Sequence, residues 1–183
     1  MKKLIVILFP FIASAQVDNT SVQVEFAELI NLYRVENGVT PLKTNVDAQK
    51  AALIQSDYLA STLRFDGANI KATCGHIHPE FNAPQDRLNE VNPELAERYS
   101  VGENAAIFFN DNESLAANLI AKQLFEQWKS SPGHNAAMLN SDYTHFGITV
   151  SVASKTYAHV TADYSVDITY NLYASALVFL KPY

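Results

Sequence analysis

The order of the predicted elements places this chain in the α+β class, with helices packed on an antiparallel sheet. Apolar residues recur at helical spacing up to Leu139, whereas the segment from Phe146 to Leu180 is rich in Val, Ile, Tyr, Phe and Thr. Helices that precede the strands, rather than alternate with them, favour this class over a parallel α/β sheet. The 183 residues are 48 % apolar and 17 % charged, which suits one globular domain.

Residues 1–15 have the pattern of a secretory signal peptide. Two lysines precede a short apolar run, and Ala13-Ser14-Ala15 is a small-x-small cleavage pattern. We expect the mature chain to begin at about Gln16, with a linker over residues 16–25 and the domain over residues 26–183. Because no second long apolar segment follows, the sequence predicts a soluble protein, secreted or periplasmic, without an integral membrane anchor.

The helices are predicted from apolar spacing and from their end signals. In the first helix, Phe26, Ile30 and Tyr33 fall at i, i+4 and i+7, and Gly38 marks its end. A second helix carries small residues, mostly alanines, that permit close packing. The later helices are predicted at Val46–Leu63, Gln85–Val91, Pro93–Arg98, Ser114–Lys129 and Gly133–Leu139.

The C-terminal part predicts three strands, at Phe146–Val152, Tyr157–Tyr164 and Leu172–Leu180. The run from Ala174 to Leu180 is apolar apart from Ser175, so we expect it to be a central strand. The region from Arg64 to Ser100 is less regular, and loops of this length in a compact domain tend to be functional.

Charge and cysteine content exclude some classes of function. The formal net charge is −6, and removing the two lysines of the signal peptide leaves eleven basic against nineteen acidic residues, or −8. An acidic chain without a basic cluster argues against binding nucleic acid or anionic membranes. Cys74 is the only cysteine, so no internal disulfide forms, and we expect a buried, inert thiol rather than a metal or redox role.

Three patches carry histidines or carboxylates: Cys74 to Pro79, Gly102-Glu103-Asn104, and Trp128 to Asn135. In this order, and with Asn31-Leu32-Tyr33-Arg34 before them, they resemble the bacterial secreted branch of the CAP superfamily, the cysteine-rich secretory, antigen 5 and pathogenesis-related proteins. The resemblance covers roughly residues 26–179. It implies an α-β-α sandwich, with an antiparallel sheet of three to four strands between helices.

The family's cleft holds two histidines and two acidic residues. By resemblance, His134 and Glu103 correspond to one of each, and His76 is preferred to His78 because prolines follow it at +3 and +8. The expected second acid is replaced by Ser131, and Glu126 is a candidate substitute. Asn104 belongs to the same cleft, where it either orients Glu103 or braces the loop. The Arg87 side chain has three candidate partners, which are Asp86, Glu90 and a loop carboxylate.

Two functions are consistent with this cleft. His76, Glu103 and His134 form a ligand set for Zn²⁺ or another divalent cation with a water position left open, which would suit a metal-dependent, protease-like hydrolase. The family resemblance instead implies binding for many members, so we favour a monomeric, non-enzymatic module that binds a small molecule, lipid or peptide. A third alternative is an envelope protein with a vestigial cleft. No Gly-x-Ser-x-Gly elbow supports a serine hydrolase.

Overall fold

The computed structural model describes residues 17–66, 69–111, 114–160 and 165–183, so the expected signal peptide lies outside the described residues. Within them, a four-stranded sheet lies between two layers of helices, and a small two-stranded sheet lies apart from it. The elements in chain order are α1 (Asn19–Glu36), β1 (Lys43–Thr44), α2 (Val46–Ser61), β2 (Arg64–Asp66), β3 (Asn69–Lys71), α3 (Pro84–Val91), α4 (Pro93–Ala96), β4 (Tyr99–Asp111), α5 (Ala117–Ser130), α6 (Pro132–Met138), β5 (His145–Val160) and β6 (Ser165–Pro182).

The predicted α+β class and three-layer sandwich are confirmed, with one difference in the sheet. Its strand order is β1-β5-β6-β4, and the three long strands are antiparallel. The short strand β1 pairs parallel to β5, with Lys43 opposite His145, so the sheet is mixed rather than wholly antiparallel. Strand β4 lies at one edge of the sheet.

Strand β6 lies between β5 and β4, so it is a central strand, as the apolar run predicts. It is apolar almost throughout because alternate residues face opposite helical layers. Tyr173, Leu177 and Phe179 pack with α1, α5 and α6, whereas Ala176 and Val178 pack with α2, α3 and α4. On the second face, the predicted small-residue side of α2 lets the helix approach closely. A Cβ at Gly147 of β5 would lie only 2.1 Å from the backbone N of Gln49 in α2.

The N-terminal linker prediction is wrong from Asn19 onward, because α1 begins there. Asp18 caps the helix by accepting hydrogen bonds from the backbone N–H groups of Thr20 and Ser21. Val22, one helical turn before Phe26, is fully buried in the core, which explains why the helix extends beyond the predicted start.

The predicted strands differ from the observed ones in two ways. The two strands expected at Phe146–Val152 and Tyr157–Tyr164 are instead one strand, β5, as far as Val160, and residues 161–164 lie outside the described residues. Strand β4 is absent from the sequence prediction, although it carries the Gly-Glu-Asn patch. None of the helices in the described ranges is both long enough and apolar enough to cross a membrane.

Candidate functional site

Glu103 is a buried carboxylate on β4 that is held by two basic side chains. Its side chain is 1 % exposed, and it forms a salt bridge through Oε2 with Nη2 of Arg87, a fully buried residue of α3. Its other oxygen, Oε1, lies 3.0 Å from Nδ1 of His76. Burying a carboxylate without partners is costly, so these two contacts explain how Glu103 is accommodated at this position.

His76 lies in the loop before α3, and its side chain is 51 % exposed. The buried Gln55 of α2 fastens this loop by donating from Nε2 to the carbonyl oxygens of Gly75 and Ile77, at 2.7 and 3.4 Å. The hydrogen bond to Glu103 raises the pKa of His76, and partial burial acts in the opposite direction. Because a carboxylate only accepts hydrogen bonds, His76 donates through Nδ1, which leaves Nε2 for a ligand.

His134 lies on α6, in the opposite helical layer. Asn104 donates from Nδ2 to the backbone oxygen of His134 over 3.1 Å, which ties α6 to β4. Burial lowers the pKa of His134, and the positive charge of His76 lowers it further. Asn104 is itself only 1 % exposed, and its contact with α6 is through the main chain of His134, so its place in a ligand-binding cleft stays a prediction.

The alternation of side chains along β4 explains how one tripeptide serves both histidines. Glu103 and Asn104 are neighbours, so they point to opposite faces of the sheet. Glu103 meets the layer of α2 and α3, and Asn104 meets the layer of α5 and α6. Gly102, the first residue of the tripeptide, leaves room for the side chain of Tyr143, because a Cβ at this position would lie 2.0 Å from the Tyr143 hydroxyl. The two elements that carry the histidines therefore meet the edge strand β4 from opposite helical layers.

A second set of contacts fixes the end of α6. Arg34 of α1 is fully buried and donates to the carbonyl oxygens of Met138 and Asn140, at 2.6 and 3.0 Å. Tyr33 of the same helix donates from its hydroxyl to Oδ1 of Asn135 over 3.0 Å. The motif of the opening helix thus holds the element that carries His134.

The contacts of Glu103 bear directly on metal binding. Both of its oxygens are engaged, one by Arg87 and one by His76, so it lies behind His76 instead of beside it. In the described part of the chain, no three or more His, Cys, Asp or Glu side chains are grouped so that they could hold a metal ion. The residues present therefore do not fit the three-ligand zinc set of His76, Glu103 and His134.

Other residues singled out in the sequence have different surroundings. His78 packs between the rings of Tyr58 and Phe81, at centroid distances of 4.8 and 5.0 Å, whereas the imidazole bonded to Glu103 is that of His76. Glu126 lines a separate groove beside β4. Cys74 is exposed, so the prediction of a buried thiol is wrong, because its loop lies on the surface; neighbouring protein still raises the pKa of the thiol by partial desolvation.

Two residues that build the site are not assigned to it by the sequence. Arg87 has three candidate partners in the sequence, and the structure selects the carboxylate of Glu103 on β4. Asp86 instead caps its own helix by accepting from the backbone N–H groups of Asn82 and Ala83. Gln55 carries no sequence-based assignment, although a polar residue on the alanine-rich face of a helix is a signal for a buried hydrogen bond.

Comparisons with known proteins agree with this architecture. A family model described as CAP, the cysteine-rich secretory protein family, matches residues 27–164. A curated relative from Bacillus subtilis (strain 168), "Uncharacterized membrane protein YlbC", is 27 % identical over 131 residues, which make up 72 % of this chain and 32 % of that protein. The chain thus spans about a third of the length of this relative.

Two solved structures share the fold. An outer surface protein from Borrelia burgdorferi has a TM-score of 0.50 at 15 % identity, over 93 % of this chain and 99 % of that chain. An extracellular protein containing an SCP domain from Bacillus anthracis str. Ames has a TM-score of 0.50 at 16 % identity, over 85 % of this chain and 40 % of that chain. Identities this low show a common fold and nothing finer.

Proposed function

The chain belongs to the cysteine-rich secretory protein (CAP) family, and from this premise we propose that it is an exported, non-enzymatic module that binds a ligand in the cleft of His76, Glu103 and His134. The ligand is a small molecule, lipid or peptide with a polar group that the imidazoles recognise. Two neighbours support the exported location, because one is described as an outer surface protein and the other as extracellular. The signal-peptide pattern of residues 1–15 supports it too.

The engagement of Glu103 is the observation that carries the proposal. A catalytic base or a metal ligand needs a carboxylate oxygen that reaches the substrate or the ion. Here both oxygens bind Arg87 and His76, and the side chain is 1 % exposed. The carboxylate therefore serves to orient His76, and the groups left for contact with a ligand are the two imidazoles.

The test is ligand-observed NMR with a defined library of peptides and small molecules, together with a cleavage assay on the same peptides. The proposal expects a library member that binds the wild type, loses binding in His134→Ala and in His76→Ala, and is not turned over. His145→Ala is the matched control, because His145 lies at the start of β5 and contacts Thr144 and Tyr99. Cleavage that disappears in His134→Ala would refute a non-enzymatic role.

The hydrolase alternative has its own measurement. Calorimetry with Zn²⁺ on the wild type and on His76→Ala should show no binding step that depends on His76. Tight binding that is lost in the variant would restore the metal-dependent hydrolase.

A further inference from the structure

The outward face of α1 combines large aliphatic side chains with acidic ones. Val24, Leu32 and Val35 are 55 %, 61 % and 57 % exposed, although side chains of this kind are usually buried. The exposed positions of α1 between residues 24 and 36 fall on one helical stripe. The carboxylates of this stripe are Glu25, Glu28 and Glu36.

No exposed cation of α1, a helix that the structure describes in full, balances these carboxylates. Arg34 is the only basic residue of the helix, and it is fully buried against the loop that follows α6. The stripe therefore presents aliphatic groups and negative charge together over about 18 Å, at 1.5 Å of rise per residue.

A groove runs along one side of this stripe, between α1 and α5. Its volume is about 310 Å³, and it can receive side chains from a segment laid along α1. Its lining includes a cation from α5, Lys122. The lining residues are Glu25, Glu28, Leu29, Leu32, Asn118 and Lys122.

We propose that this face docks an amphipathic helical segment of another protein, in which Leu-like side chains are flanked by Lys or Arg. The aliphatic side chains of the segment would cover Leu32 and its neighbours, and its cations would pair with Glu25 and Glu28. In the part of the chain that the structure describes, the three carboxylates of the stripe outnumber the one cation of the groove, Lys122, so the net charge favours this occupant over the alternatives. A second copy would oppose the same three carboxylates to each other, and an anionic bilayer would be repelled by them. This surface is separate from the cleft, so the inference stands or falls independently of the proposed function.

The probe is a synthetic 18-residue peptide of leucine and lysine at amphipathic helical spacing, and the control peptide has glutamate in place of lysine. Calorimetry with the full mature chain should give a dissociation constant of about 100 μM or tighter for the lysine peptide. The glutamate peptide should not bind. Binding should weaken as the salt concentration rises, because surface charges are screened.

Variants locate the contact. The charge reversal E25K/E28K should weaken binding by about tenfold or more, and Leu32→Ser should weaken it as well. The matched control is E90K/E94K, which makes the same charge change at exposed positions of α3 and α4. Circular dichroism and urea unfolding confirm that each variant is folded.

Three outcomes would overturn the proposal: no binding of the lysine peptide up to about 1 mM, equal weakening by the two charge reversals, or self-association in sedimentation that Leu32→Ser abolishes. The last outcome would make the face an interface between copies of this chain. Weakening confined to the α1 variants would establish the surface.

Discussion

The sharpest test of the site architecture is the buried pair of Arg87 and Glu103. In Arg87→Met the packing volume is largely kept, but Glu103 is left buried without its cationic partner. The two side chains are 0 % and 1 % exposed, so water cannot compensate for the loss. Breaking such a pair costs about 3–5 kcal/mol of unfolding free energy. At a urea m-value of about 2 kcal/mol/M, the unfolding midpoint should fall by roughly 2 M.

An exposed ion pair in the same chain provides the control. Lys181 and Asp142 are 2.8 Å apart, but their side chains are 46 % and 53 % exposed. Lys181→Met should therefore cost less than about 1 kcal/mol, because solvent screens the pair. Both variants remove one cation and replace it with the same side chain, so the difference between them measures burial.

The double variant R87M/E103Q completes the experiment. The amide of the glutamine is neutral and still accepts a hydrogen bond from His76, so much of the lost stability should return. The reasoning is refuted if Arg87→Met unfolds at the same urea concentration as Lys181→Met. It is refuted equally if the double variant is no more stable than the single one.

Three further predictions concern the close approach of α2 and the two histidines. Gly147→Ala should lower the free energy of unfolding, measured in urea, by about 3 kcal/mol or more. The reason is that the new Cβ would lie 2.1 Å from the backbone N of Gln49, so the whole helix α2 must shift. A loss below about 1 kcal/mol would contradict that packing. Asn104→Ala should cost about 1–2 kcal/mol and move the ring resonances of His134, since it removes the bond that ties α6 to β4; unchanged resonances would show that the bond does not position the ring. The pKa of His76 is raised in the folded state, so its contact adds stability that is fully present below the unfolded value of 6.5 and is lost as the pH rises through the folded pKa. The difference in unfolding free energy between wild type and His76→Gln should therefore be larger at pH 5.5 than at pH 8. A difference that grows with pH would contradict the assigned contact.

The fold is predictable where burial alone decides the structure. The run from Ala174 to Leu180 is buried on both faces, so its nearly continuous apolar character identifies the central strand. Strand β4 escapes prediction because Glu103 and Asn104 are buried polar residues on it, and their partners lie far away in sequence. The break expected between two strands near Ser154 is wrong, because Thr156 pairs with Thr169 and β5 continues through the polar stretch.

Only the site residues that belong to sequence motifs can be predicted. Proline spacing and the Ser-Pro-Gly-His stretch select His76 and His134, and the structure places both of them at β4. Local sequence does not select the partner of Arg87. Glu90 lies one helical turn away from Arg87, at a spacing that permits an ion pair within the helix. The tertiary fold buries Arg87 against Glu103 instead, and a buried charge needs a partner at that place.

The register of β4 against β6 links the fold to the cleft. Glu103 lies opposite Val178 and Asn104 opposite Leu177, and these two β6 residues face different helical layers. A shift of one residue would turn Glu103 toward α6 and Asn104 toward Arg87, which would bury an unpaired guanidinium and carboxylate on opposite faces. The salt bridge of Glu103 with Arg87 and the hydrogen bond of Asn104 to His134 form only in the observed register, so the residues that contact the histidines also favour this pairing. The positions of the two histidines therefore depend both on the pairing of β4 with β6 and on the side-chain contacts of Glu103 and Asn104 that this register permits.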